Sequence, residues 1–131
     1  MGIKSITMKI YISLRMSEVK ESASRSLADR YQKALEILGH QVFNPWVLSD
    51  ELNKDGMKRQ WLDYIAHDIS VIKTCDAIMF CEDKFSDGMI VELIVAKKLG
   101  LEIFYSRPMS ESKIRSIIES NVKKLHNTNK M

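Results

Sequence analysis

An alternation of short β-forming runs with amphipathic helical stretches constrains this chain more than any other feature. Met8 to Leu14 is rich in strand-forming residues and ends at Arg15, so it reads as a first strand. Val19, Ala23, Leu27, Tyr31, Ala34, Leu35 and Leu38 then recur at spacings of three and four, which predicts a long amphipathic helix. Ser17 is placed to cap it, Glu18 suits the dipole of its first turn, and Gly39 provides a stop. "HQVFNP" reads as a short second strand closed by Asn44-Pro45, and residues 46–56 as a polar loop ending at Asp55-Gly56. A second helix from Met57 to Thr74 carries Trp61, Ile65, Ile69 and Ile72 on one face. "DAIMFC", 76–81, is a third strand whose near-continuous apolarity fits burial on both faces. A loop over 82–87, a third helix "GMIVELIVAKKLG" and a strand "LEIFY" follow. Beyond Arg107-Pro108, residues 110–125 set Ile114, Ile117, Ile118, Val122 and Leu125 on one stripe, ahead of a polar tail.

Strands separated by helices pair in parallel, because each crossover returns the chain to the same end of the sheet. The expected architecture is therefore α/β: a doubly wound three-layer sandwich of flavodoxin-like or Rossmann-like type, with a mainly parallel sheet of four to five strands. In such sheets ligands bind beyond the C-terminal strand ends, where the winding direction reverses between the first and third strands. That rule selects Leu14 to Ser17 and Glu82 to Gly88 before any motif is considered.

With 131 residues and 45% hydrophobic content, the chain fits one domain with a single core. The 28% charged residues and net charge of +3 describe a mixed surface. Lys123, Lys124 and Lys130 form no stripe interleaved with aromatics, so no nucleic-acid partner is expected. No run approaches the roughly 18 apolar residues of a membrane span. The N-terminus has no signal-peptide pattern, and Ile6 occupies the place where a myristoylation motif needs Ser or Thr. The reading is a cytoplasmic protein without a membrane partner. Cys75 and Cys81 form no CxxC and read as small core hydrophobes.

Three places break the hydrophobic pattern. On the third helix, positions 88, 92, 95, 96 and 99 share a face, and Glu92 is its acidic member. A carboxylate on a core-facing stripe must be paired, neutral or used, since burying it uncompensated costs several kcal/mol; alternatively the stripe is rotated and Glu92 faces solvent near Lys97 or Lys98. On the second helix Asp68 interrupts the stripe 61, 65, 68, 69 and 72, either as a cap or ion pair with His67 or Lys73, or as the partner of Glu92. Two acids in different environments divide naturally into nucleophile and proton donor. Ser86-Asp87-Gly88 opens the third helix as either a plain N-cap or an anion site, with Arg15 a candidate cation at the same crevice.

The segments "KIYIS", "GHQVFNP", "WLDYIAHDISVIKTCDAIMF" and "SDGMIVELIVAKKLGLEI" together resemble the nucleoside 2-deoxyribosyltransferase superfamily over about residues 8–105. The likeness is strongest to its small, often phage-encoded branch and to the related deoxynucleoside 5'-monophosphate N-glycosidases. The resemblance implies that Glu92 is the nucleophile that attacks the anomeric carbon and forms a glycosyl-enzyme intermediate. It makes Asp68 the acid associated with the departing base and Tyr11 a strand-one tyrosine beside the nucleophile. It assigns Ser86 and the backbone around Gly88 to the sugar's 5' end, with Ser13, Arg15 and Ser17 as further candidates there. Ser86 stands where the deoxyribosyltransferases typically carry Asp, which points to a 5'-monophosphate substrate and water as acceptor; Asp87 adds a negative charge beside that site. Trp46 is the candidate to stack on the base or to plug the core. The resemblance also implies homo-oligomers, a small-molecule nucleotide or nucleoside as partner, and neither cofactor nor metal. The competing readings are a base-exchanging deoxyribosyltransferase and a non-catalytic nucleotide-binding module.

Overall fold

The structure is a computed structural model that describes residues 7–107 and, beyond them, residues 110, 112, 113, 115, 116, 118 and 119. Its elements run β1 (Lys9–Ser13), α1 (Glu21–Ile37), β2 (Gln41–Phe43), α2 (Pro45–Leu52), a 3-10 turn (Asn53–Asp55), α3 (Trp61–Ile72), β3 (Ala77–Phe80), α4 (Asp87–Leu99) and β4 (Glu102–Tyr105). All strand pairs are parallel, in the order β2-β1-β3-β4, so the winding reverses between β1 and β3 as expected of a doubly wound sheet. No helix among the described residues is long and apolar enough to cross a membrane.

Strand alternation divides the core into two layers. Ile10, Ile12 and Leu14 of β1 and its exit face Ala28 and Leu35 of α1, together with Ala77 and Cys81. Tyr11 lies in the opposite layer with Ile78 and Phe80 of β3, Ile72 of α3, and Met89, Leu93 and Ala96 of α4. Ile12, Ile72, Ile78 and Leu93 are fully buried, each stabilising the fold by about 1.5–3 kcal/mol relative to exposure. The same alternation gives Ser13 the Tyr11 side of the sheet, toward α4. Phe80 stacks on Phe85 with centroids 4.7 Å apart, which ties the loop after β3 to the sheet just before α4 begins.

Three boundaries differ from the sequence reading. Residues 46–56 are not an open loop: Asn44 accepts from the Trp46 N–H at 2.9 Å as an N-cap, and Pro45 occupies the first helical turn of α2. A dipeptide read as a terminator is thus a cap followed by a proline whose missing N–H costs nothing there. Helix α1 begins at Glu21 rather than after Ser17, because Glu18 takes a left-handed conformation (φ 60°) and the Ser24 hydroxyl bonds back to the Arg15 carbonyl at 2.6 Å. Helix α3 begins at Trp61, not Met57, where the Gln60 N–H donates to the Asp63 side chain at 2.7 Å. Ile118 packs against the α3–α4 layer, whereas Ile114, Ile117, Val122 and Leu125 of the expected C-terminal stripe lie outside the described residues.

Candidate active site

Glu92 is the sixth residue of α4, on the face that presses Met89, Leu93 and Ala96 into the sheet. The buried positions of α4 are 89, 90, 92, 93 and 96, rotated slightly from the expected stripe, and Leu99 is 45% exposed. Glu92 itself is 5% exposed, so it does not face solvent beside Lys97 or Lys98. Its carboxyl meets the Tyr11 side of β1: Tyr11 Oη donates to Oε2 at 2.6 Å and Ser13 Oγ donates to Oε1 at 2.7 Å. Both donors are buried, and both arise from the period-two alternation that sends Ile10 and Ile12 to the other layer.

Burial pushes the Glu92 carboxyl up to about 8, against the pull of its Tyr11 and Ser13 donors and with a further push from Asp68. Burial likewise pushes Asp68 up to about 6, opposed by a hydrogen bond from Tyr11. The Tyr11 phenol is held well above its usual range by burial and by the two acids, so it stays protonated. One phenolic hydrogen cannot serve two carboxylates at once. The two acids therefore titrate as a pair in two steps. Between about 6 and 8 the pair holds one proton, and Glu92 has the higher pKa of the two. In the form with the proton on Asp68, the ionised Glu92 keeps both of its donors.

A cavity of about 750 Å³ opens in front of these groups, within the size range of small-molecule sites. It lies at the strand ends selected by the winding reversal. Glu92, Asp68 and Tyr11 line its floor; Ser17, Ser86, Asp87 and Gly88 are also in its wall. Ser86 caps α4, its hydroxyl oxygen accepting from the Met89 N–H at 3.3 Å. Gly88 sits against α3: a Cβ there would lie 3.4 Å from Ile65 Cδ1, in van der Waals contact.

Other candidates are placed elsewhere. The Arg15 guanidinium is engaged by Glu82, with Nη2 and Nε donating to Oε1 at 3.0 and 3.2 Å while the Arg15 N–H donates to Oε2 at 2.7 Å. That clamp ties the loop after β1 to the loop after β3, and Arg15 does not line the cavity. Ser13 is fully buried and serves Glu92 rather than the cavity. Trp46 is 8% exposed, donates Nε1–H to Ser24 Oγ at 2.9 Å and lies under the Arg25 guanidinium at 4.3 Å; it plugs the α1 layer and is not at the cavity. The sequence reading missed Trp61 and Tyr64, both in the cavity wall. The available signal was their position, seven and four residues before Asp68, on the same helical face.

The described lining residues include four carboxylates, Glu18, Asp68, Asp87 and Glu92, and no lysine, arginine or histidine. No group of three or more His, Cys, Asp or Glu among the described residues is placed to hold a metal ion. No curated protein matches the chain. Residues 8–105, which contain the whole sheet, the Glu92–Tyr11–Asp68 group and the cavity wall, match the family described as a domain of unknown function, DUF4406, and the chain belongs to that family.

Proposed function

We propose that the protein cleaves the N-glycosidic bond of a nucleoside or nucleoside 5'-monophosphate through a glycosyl-Glu92 intermediate, as its resemblance to the nucleoside 2-deoxyribosyltransferases implies. The carrying observation is a buried carboxyl oriented by two hydroxyl donors and placed with a second acid of raised pKa at the lining of a ligand-sized cavity. In the reactive state Glu92 is ionised and Asp68 protonated, the less populated of the pair's two singly protonated forms because Glu92 has the higher pKa. A Glu92 oxygen forms a bond to C1' as the C1'–N bond breaks, and the Asp68 proton goes to the departing base. Water then attacks C1' and gives its proton to Asp68, while the glycosyl–Glu92 bond breaks to restore the carboxylate. Tyr11 and Ser13 hold the carboxylate and stabilise its ionised form. A cytoplasmic pool of nucleotides or nucleosides is the setting this reading calls for.

Ser86 and the start of α4 support a 5'-monophosphate, since helix N-termini favour anions. A second reading is favoured by the four carboxylates and the lack of a described cation in the lining: an unphosphorylated nucleoside, with Asp87 near its 5'-hydroxyl and a second base as acceptor. Chromatography of products from nucleoside monophosphates and nucleosides, with and without an added base, separates the two. Free base from monophosphates alone supports hydrolysis of nucleotides, and base exchange on nucleosides supports the second reading. Full activity in Glu92→Ala overturns both.

A further inference from the structure

We infer that Trp61 is the surface on which the nucleobase of the substrate stacks. The inference rests on the reading of Glu92 as the group that meets C1'. With C1' at Glu92 and the glycosidic nitrogen at Asp68, the base must extend from Asp68 toward the cavity mouth. Helix α3 supplies that wall. Asp68, Tyr64 and Ile65, and Trp61 follow at the three-, four- and seven-residue spacings of one helical face, and all line the cavity. Seven residues of helix span about 10 Å, enough to carry a bicyclic base from the acid to the first turn.

The aromatic groups of the cavity are not equivalent. Tyr11 is buried beneath Glu92, and the ring of Phe85 is stacked on Phe80. Tyr64 is anchored by its hydroxyl, which donates to Asn53 Oδ1 at 2.8 Å. Trp61 is 54% exposed, and among the described residues no other ring stacks on it. A large indole left half in water at the edge of a cavity offers a π-face to any planar base. The lining has no described cation, so a neutral ring contact suits this end of the cavity.

Only two tryptophans are present, and Trp46 is buried away from the cavity, so fluorescence separates them. Free nucleobases and nucleosides titrated into the full chain, with red-edge excitation, are expected to quench the wild type saturably and to leave Trp61→Phe unquenched. In kinetics, Trp61→Ala is expected to raise KM by about 5- to 150-fold, the range of base–aromatic stacking, with kcat within about threefold. Trp61→Phe, which keeps a ring, recovers most of the KM. The same saturable quench in Trp61→Phe would overturn the assignment. So would an unchanged KM in a Trp61→Ala protein whose circular dichroism melt matches wild type, including the case in which only the oligomeric mass changes. Saturable quenching by a base in a protein that cleaves no glycoside keeps the stack and removes the Proposed function; base release with an unaltered Trp61→Ala KM does the reverse.

Discussion

Replacing Glu92 by Gln should make the protein more stable at alkaline pH while removing its proposed chemistry. The folded pKa of Glu92 is raised, to about 8 from the ordinary 4.5. Folding therefore carries no charge penalty from this group below about 4.5, and stability is lost progressively as pH rises through about 8. The gap of roughly 3.5, at about 1.36 kcal/mol each, sets a ceiling of about 5 kcal/mol, reduced by whatever water enters the cavity. Glutamine has no such titration. It can accept from Tyr11 through one oxygen, but its amide must face Ser13, so the variant starts about 1 kcal/mol less stable at pH 5. Urea unfolding of both proteins at pH 5, 7 and 9 should show the difference climbing by several kcal/mol toward pH 9 in favour of Glu92→Gln. Against a total stability of about 5–15 kcal/mol this is readily measured. A difference that does not change with pH would mean that Glu92 titrates in the fold as it does in the unfolded chain, and would refute the raised Glu92 pKa on which this reasoning rests.

The activity itself should follow a bell with limits near 6 and 8, the two steps of the coupled pair, since below it both acids hold a proton and above it neither does. Tyr11→Phe should lower kcat by about 100-fold and move the upper limb to higher pH, because the ionised Glu92 loses a donor that holds its pKa down; a pH–rate profile with unmoved limbs contradicts this. Ser86→Asp keeps the cap of α4 and adds a charge at the proposed 5' end. It should raise KM more than about tenfold for a 5'-monophosphate and leave nucleoside KM unchanged, and equal effects on both substrates would remove Ser86 from the 5' end.

The sheet was legible because strand-like and helix-like periods alternate without ambiguity, and because "DAIMFC" could be buried only between two layers. Helix α2 was not, since Asn44-Pro45 marks a loop or a capped helix equally well, and tertiary packing of Trp46 and Leu48 decides between them. Glu92 and Asp68 stood out as acids on apolar faces, and β1 alternation then brings Tyr11 and Ser13 to the first of them. Arg15 and Trp46 could not be placed from the sequence for one reason: each has an internal partner, Glu82 or Ser24, that is far away in sequence, and for Trp46 it selects the core-plugging alternative. Trp61 hid in the opposite way, as an apolar residue at a core-like spacing on a turn that the sheet does not cover.

The most direct test of the proposed nucleophile is intact-protein and peptide mass spectrometry after acid quench of a reaction with a 2-fluoro-arabinosyl nucleoside or its monophosphate, whose deglycosylation is slow. The account predicts a gain of one glycosyl residue on the peptide that contains Glu92, and none in Glu92→Gln. Turnover by wild type without an adduct, together with base release by Glu92→Gln, would contradict it.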